Sequence, residues 1–295
     1  MSQVSGLRGR CLCGAVEYQS VGPARGMWYC HCSTCAKSSG VGFGTWIEVS
    51  GVTWTVGEIH RARVTHLANP GRSFCGICGS QLPVELDGGS GALLPAGGLE
   101  TVQGLKPAWH AFPAERMPWL PAFTDIDCQP RSRSATASTP ASCRAPSTPF
   151  TEAGPLVKGS CLCGSIAFEA SPPLYAMRVC HCSRCRRRSG SSYFVGLACS
   201  AEGLSIRRGE SLASTWHLPG SARYVLRFCS QCGSSVPVTI GNMAFIAAGV
   251  LDADPGIRTR CHIYFASRAN WVGPEDSLPH FDELPPLDFN WRADP

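Results

Sequence analysis

Hydrophobic positions along the chain come in short β-branched or aromatic runs, at 16–18, 45–49, 52–56, 193–198, 235–240 and 262–266. Turn residues separate them at short intervals, and no long stretch keeps a 3.6-residue period. The pattern predicts a mainly β protein of antiparallel strands, with a short helical turn near 183–188. The most apolar run, 244–251, contains a glycine and is far too short to span a bilayer, so no membrane partner is expected. Between 130 and 155 large apolar residues almost vanish in favour of Ser, Thr, Ala, Pro and Arg. Such a composition cannot bury a core and reads as a flexible linker.

Self-comparison explains what the linker joins. Cys11-Leu12-Cys13-Gly14 recurs as Cys161-Leu162-Cys163-Gly164, and Cys30-His31-Cys32-Ser33-Thr34-Cys35 as Cys180-His181-Cys182-Ser183-Arg184-Cys185, both 150 positions on. Phe74-Cys75-Gly76-Ile77-Cys78-Gly79-Ser80 recurs 154 positions on as Phe228-Cys229-Ser230-Gln231-Cys232-Gly233-Ser234. Near the ends, His110 and Trp119 match His262 and Trp271 more weakly. Matched blocks in one order define a tandem repeat. The expected organisation is a first zinc-binding domain over 1–128, a linker over 129–155 and a second zinc-binding domain over 156–295.

Composition sharpens this picture through cysteine. The chain has 295 residues and 18 Cys, too long to need disulfide staples. Its first residues lack the apolar core of a secretory signal, so a cytoplasmic location is expected, where clustered thiols bind metal or do redox chemistry. Fourteen Cys lie in the repeated blocks; Cys128, Cys143, Cys199 and Cys261 do not.

Seven cysteines per repeat divide into four and three. Cys11, Cys13, Cys75 and Cys78, and likewise Cys161, Cys163, Cys229 and Cys232, suit the closed four-thiolate coordination of structural zinc. Cys30, Cys32 and Cys35, with Cys180, Cys182 and Cys185, supply three ligands each. A tetrahedral ion would then keep one position open, as catalytic zinc does, unless a further residue closes it. His31 and His181 sit awkwardly between two ligands and suit packing or support of the metal site. Two Zn²⁺ per domain are expected, the three-cysteine ion being the more labile. Fourteen thiolates and four dications would lower the formal charge of +5 by six, to about −1, which weakens a nucleic-acid reading. Arg184, Arg186, Arg187 and Arg188 form a basic run after the second triplet, suited either to substrate carboxylates, to phosphate, or to plain solvation.

The ordered blocks G-x-C-L-C-G, C-H-C-S-x-C and F-C-x-x-C-G-S resemble the glutathione-dependent formaldehyde-activating enzyme family, whose domain is shared with centromere protein V. The segments Gly249-Val250-Leu251-Asp252 and 262–271 are similar to that family's later motifs. The resemblance implies two β-tent domains, structural zinc at the quartets, and substrate-side zinc at the triplets. It also implies carbon–sulfur lyase activity on a thiol–aldehyde adduct such as S-hydroxymethylglutathione, with glutathione and an aldehyde as partners. The alternative is a non-catalytic zinc module that carries thiols or contacts a macromolecule. The first domain departs from the pattern: Pro113 is expected to interrupt a strand, and Leu99-Glu100 replaces Leu-Asp. If one domain is purely structural, it is expected to be the first.

Overall fold

The computed structural model describes residues 4–64, 71–89, 91–121, 126–129, 156–273, 276–286 and 288–290. All but one residue of the expected linker, and with it Cys143, lies outside them. No helix among the described residues is long and apolar enough to cross a membrane.

The mainly β, two-domain expectation holds, and each half is built of three sheets. In the first half Arg8–Arg10, Glu17–Val21 and Gly51–Val56 make one, and Arg61–Val64, Arg72–Cys75 and Gln81–Leu82 another. The largest runs Asp127–Gln129, Trp109–Ala111, Gly26–Cys30, Gly44–Val49, Ala92–Pro95, Val84–Glu85. The second half repeats the plan. Its large sheet runs Val238–Ile240, Met243–Ala247, Phe194–Ser200, Leu174–Cys180, Thr259–Ile263. Pairing of the strands is antiparallel except at one edge, where Trp109–Ala111 lies parallel to both Gly26–Cys30 and Asp127–Gln129, and Thr259–Ile263 lies parallel to Leu174–Cys180. These late strands arrive after a long crossover rather than a hairpin, which permits the parallel direction.

Three local expectations need correction. The strand expected at 235–240 is split into Ser235–Val236 and Val238–Ile240, because Pro237 has no N–H to give a ladder. The strand expected at 262–266 instead covers Thr259–Ile263, since Tyr264 turns into the left-handed region at φ 54°. Pro113 interrupts nothing. The first-half strand has already ended at Ala111, Phe112 turns at φ 56°, and Pro113 begins a 3₁₀ turn where its fixed φ is suitable.

The halves share one interior. Tyr29, Phe43, Met117 and Trp119 from the first pack in the same apolar cluster as Met177, Tyr193, Leu197 and Ile246 from the second. Two short helices, α1 (Ser33–Ser39) and α2 (Ser183–Ser189), cross the seam reciprocally. Gly40, ending α1 at φ 74°, accepts through its carbonyl from Gly249 N at 2.9 Å; Gly190, ending α2 at φ 69°, accepts from Gly97 N at 3.1 Å. A Cβ on Gly97 would fall 2.3 Å from Ser191 O, and one on Gly249 would fall 2.4 Å from Gly42 N, so glycine is what permits this approach. Phe74 and Phe228 meet edge to face at 6.3 Å. Lys37 of α1 is buried against Asp252 and also donates to the carbonyls of Ser160 (3.0 Å) and Val250 (3.1 Å). The Asp of the Gly-x-Leu-Asp segment is therefore a cross-seam anchor. Glu100, its first-half equivalent, stands in the field of Arg187.

Candidate metal centres

Each quartet is assembled by two tight turns. Cys11 and Cys13 follow the strand Arg8–Arg10, with Gly14 at φ 78° folding the chain back so that its N–H reaches Cys11 O. Cys75 ends its strand, and Gly79 at φ 70° closes the second turn on Cys75 O at 2.8 Å. Ser80 ties the turns together, its Oγ accepting from Leu12 N at 3.0 Å; Ser234 does the same for Leu162 in the second half. The sulfurs of Cys11, Cys13, Cys75 and Cys78 lie within 4.8 Å of one another, as do those of Cys161, Cys163, Cys229 and Cys232. Neighbouring separations are 3.4 Å for Cys11–Cys13 and 3.8 Å for Cys13–Cys75. Four sulfurs each about 2.3 Å from a tetrahedral zinc would stand about 3.8 Å apart. Donor set and spacing both fit that ion.

The triplets are held by strand end and helix start. Cys30 and Cys180 end their strands, while Cys32 and Cys182 cap α1 and α2 by accepting from Cys35 N (3.5 Å) and Cys185 N (3.4 Å). The three sulfurs of each group lie within 4.8 Å of one another. Neither intervening histidine joins a sulfur cluster. Instead His31 Nε2 meets His110 Nδ1 at 2.9 Å, and His181 Nε2 meets His262 Nδ1 at 2.8 Å. In the second half the chain continues to Asp276, 3.0 Å from His262 Nε2. An ionised Asp276 can only accept, so His262 donates from Nε2 and accepts at Nδ1, and His181 donates from Nε2. Burial holds His181 in its neutral form, down to about 3, and pushes His262 down as well. This relay fixes a ring lodged between two candidate ligands. Asp276 carried no signal in the sequence.

The surroundings of the two triplets differ sharply. In the first, Cys30, Cys32 and Cys35 are all buried. Arg72 Nη2 donates to Cys35 Sγ at 3.1 Å and Trp46 Nε1 at 3.4 Å, with Trp28 and Trp109 stacked at 5.1 Å in the same cluster. Hydrogen bonds from Cys30 and Cys32, then the Arg72 charge and Trp46, hold the Cys35 thiol well below its ordinary range despite burial. In the second triplet Cys182 and Cys185 are half-exposed. Hydrogen bonds from Cys180 and Cys185, then backbone N–H groups, hold Cys182 down at about 3.

The arginine run is not brought together as one patch. Arg184 is exposed, with its guanidinium 5.7 Å from the Tyr224 ring centre. Arg186 donates to the carbonyls of His181 and Ser267. Arg187 faces Arg10, Tyr18 and Glu100 of the first half. Arg188 is buried and donates to Gly233 O at 3.1 Å. Cys199 and Cys261 are buried strand residues in none of the four sulfur clusters.

Comparison with known proteins now decides the family. The profile described as glutathione-dependent formaldehyde-activating enzyme matches residues 6–115 and again 156–267. The chain belongs to this family, as a tandem duplicate. A relative from Halomonas elongata, provisionally named a glutathione-dependent formaldehyde-activating enzyme, is 29% identical over 129 residues, covering 40% of this chain and 80% of that protein. A Rhodobacter sphaeroides protein of known crystal structure is 19% identical with a TM-score of 0.26, covering 42% of this chain and 98% of that one.

Proposed function

We propose that this family member is a carbon–sulfur lyase-type enzyme acting on a thiol–aldehyde adduct of the S-hydroxymethylglutathione kind, with its chemistry at Cys180, Cys182 and Cys185. The observation that carries the proposal is the partial exposure of Cys182 and Cys185, against the burial of their first-half equivalents Cys32 and Cys35. A zinc ion held by these three cysteines would supply Lewis acidity that lowers the pKa of a substrate thiol. In the synthetic direction one C–S bond forms between the thiol sulfur and the aldehyde carbon, and the thiol proton ends on the former carbonyl oxygen. No oxidant is consumed. The contribution of the chain is placement. Cys180 and Cys182 are fixed by strand end and helix cap, and the His181–His262–Asp276 chain holds the residue between them. Of the arginine run, we read Arg184, which is exposed, and Arg186, which borders the triplet, as the residues for substrate carboxylates, and Arg187 and Arg188 as serving the seam and interior.

The quartets are read as structural zinc, and the first triplet as a third structural site. The alternative of a non-catalytic zinc module fits the first half, whose triplet is sealed. The test is exchange of formaldehyde with glutathione, followed by NMR on the zinc-loaded full chain. Acceleration over the uncatalysed exchange, lost on chelation and restored by zinc, is expected; a rate equal to the uncatalysed one would overturn the reading.

A further inference from the structure

Beside the second triplet the seam opens into a cavity of about 200 Å³. One wall is the first-half loop 99–103, with Glu100 and Gln103; the other carries Arg186, Arg268, Asn270 and Trp271 from the second half. Arg186 reaches His181 O, so its guanidinium lies between the cavity and the triplet that flanks His181. Neither Arg186 nor Arg268 pairs with a carboxylate among the described residues, and burial weighs against the charge of Arg186. Arg268 is exposed, lying over the Phe265 ring at 4.5 Å. Glu100, exposed on the opposite wall, brings a negative charge that Arg187 also faces.

The same place on the other side of the seam is lined differently, although Arg116 matches Arg268. Ala36 stands where the second half has Arg186, and Met117-Pro118-Trp119 where it has Ala269-Asn270-Trp271. Met117 and Trp119 are buried in the shared core, and Asp252, equivalent to Glu100, is engaged by Lys37. One side presents apolar side chains buried in the core. The other keeps two cations facing a carboxylate around an empty volume.

That volume is below the 300–1,000 Å³ or so of pockets that enclose whole drug-sized ligands, so it takes a fragment. Two guanidinium groups facing one carboxylate match a zwitterion. We propose that this cavity is a composite subsite, one per chain and built from both domains, for the α-amino-carboxylate head of a γ-glutamyl thiol. The carboxylate meets Arg186 and Arg268, the ammonium meets Glu100, and the thiol extends towards Cys182. This rests on the function proposed above, but binding tests it separately.

Calorimetry with S-methylglutathione, whose sulfur is blocked, is expected to give one site per chain, weakened about 10- to 100-fold in Arg268→Met and less in Glu100→Gln. In kinetics, Arg268→Met is expected to raise KM to a similar extent for glutathione and γ-glutamylcysteine, leaving kcat and the response to cysteinylglycine within twofold. Equal losses for all thiols, or binding of S-methylglutathione unaffected by Arg268→Met, would overturn the subsite. If no thiol is turned over yet S-methylglutathione binds and depends on Arg268, the lyase reading fails and the subsite stands.

Discussion

The two three-cysteine sites occupy equivalent places in the two halves and are treated oppositely by their neighbours. Around Cys30, Cys32 and Cys35, Trp46 and Arg72 donate directly to sulfur. The repeat places Gly196 and Leu226 at those positions, and neither can donate a side-chain hydrogen bond. The strands reveal a reciprocal trade. In the first half Gly44 makes room for Trp46, since a Cβ there would lie 2.4 Å from Trp46 Nε1. In the second, Gly196 makes room for Phe194, 2.7 Å from the corresponding Cβ. Moving one aromatic residue two places along a strand, with glycine taking the vacated position, changes what covers a candidate metal site while every thiol stays where it was.

The comparison can be broken most forcefully at the ligands. Cys182→Ser is expected to reduce formaldehyde–glutathione exchange more than about 100-fold, since even supporting residues of metal sites are worth 10- to 100-fold. Cys32→Ser should leave the rate within twofold and show itself in melting temperature instead. Equal kinetic losses would erase the division of labour. Next in size is the transplant Phe194→Gly with Gly196→Trp, which gives the second triplet the aromatic pattern of the first. Activity should fall about ten- to a hundred-fold, and maleimide labelling of Cys182 should slow, with circular dichroism unchanged. The reverse exchange, Trp46→Gly with Arg72→Leu, should speed release of zinc from the first triplet to a chelator by about tenfold, read with a colorimetric zinc indicator. Smallest is Lys37→Met. Loss of its partly exposed ion pair and carbonyl contacts should cost about 1–2 kcal/mol in denaturant unfolding and leave the exchange rate unaltered.

Much of the architecture was legible because cysteine spacing is a stringent local signal. Cys11, Cys13, Cys75 and Cys78 cluster as expected because the glycines that follow them force the turns, and both triplets cluster where a strand ends and a short helix begins. Strands 45–49 and 52–56 emerge as Gly44–Val49 and Gly51–Val56, where β-branched and aromatic residues agree with the final sheets. What the sequence concealed depends on partners far away in the chain. Arg72 lies 37 positions from the thiol it touches, and Lys37 lies 215 from Asp252. Neither pairing follows from periodicity. The arginine run is dispersed for a related reason: adjacent residues on one helical turn project in different directions, so a block of like charges became four separate contacts.

The reciprocal docking of α1 and α2 has a further consequence. Gly40 with Gly249, Gly190 with Gly97, and Phe74 with Phe228 are the contacts that an isologous dimer makes about a twofold axis. In a dimer of identical chains, any substitution at such an interface occurs twice, and closing one active site closes both. Covalent fusion removes that constraint. A tryptophan can cover one candidate metal site while its twin stays partly exposed, and the sealed half can contribute scaffold, and a wall of the cavity, to the half that remains accessible.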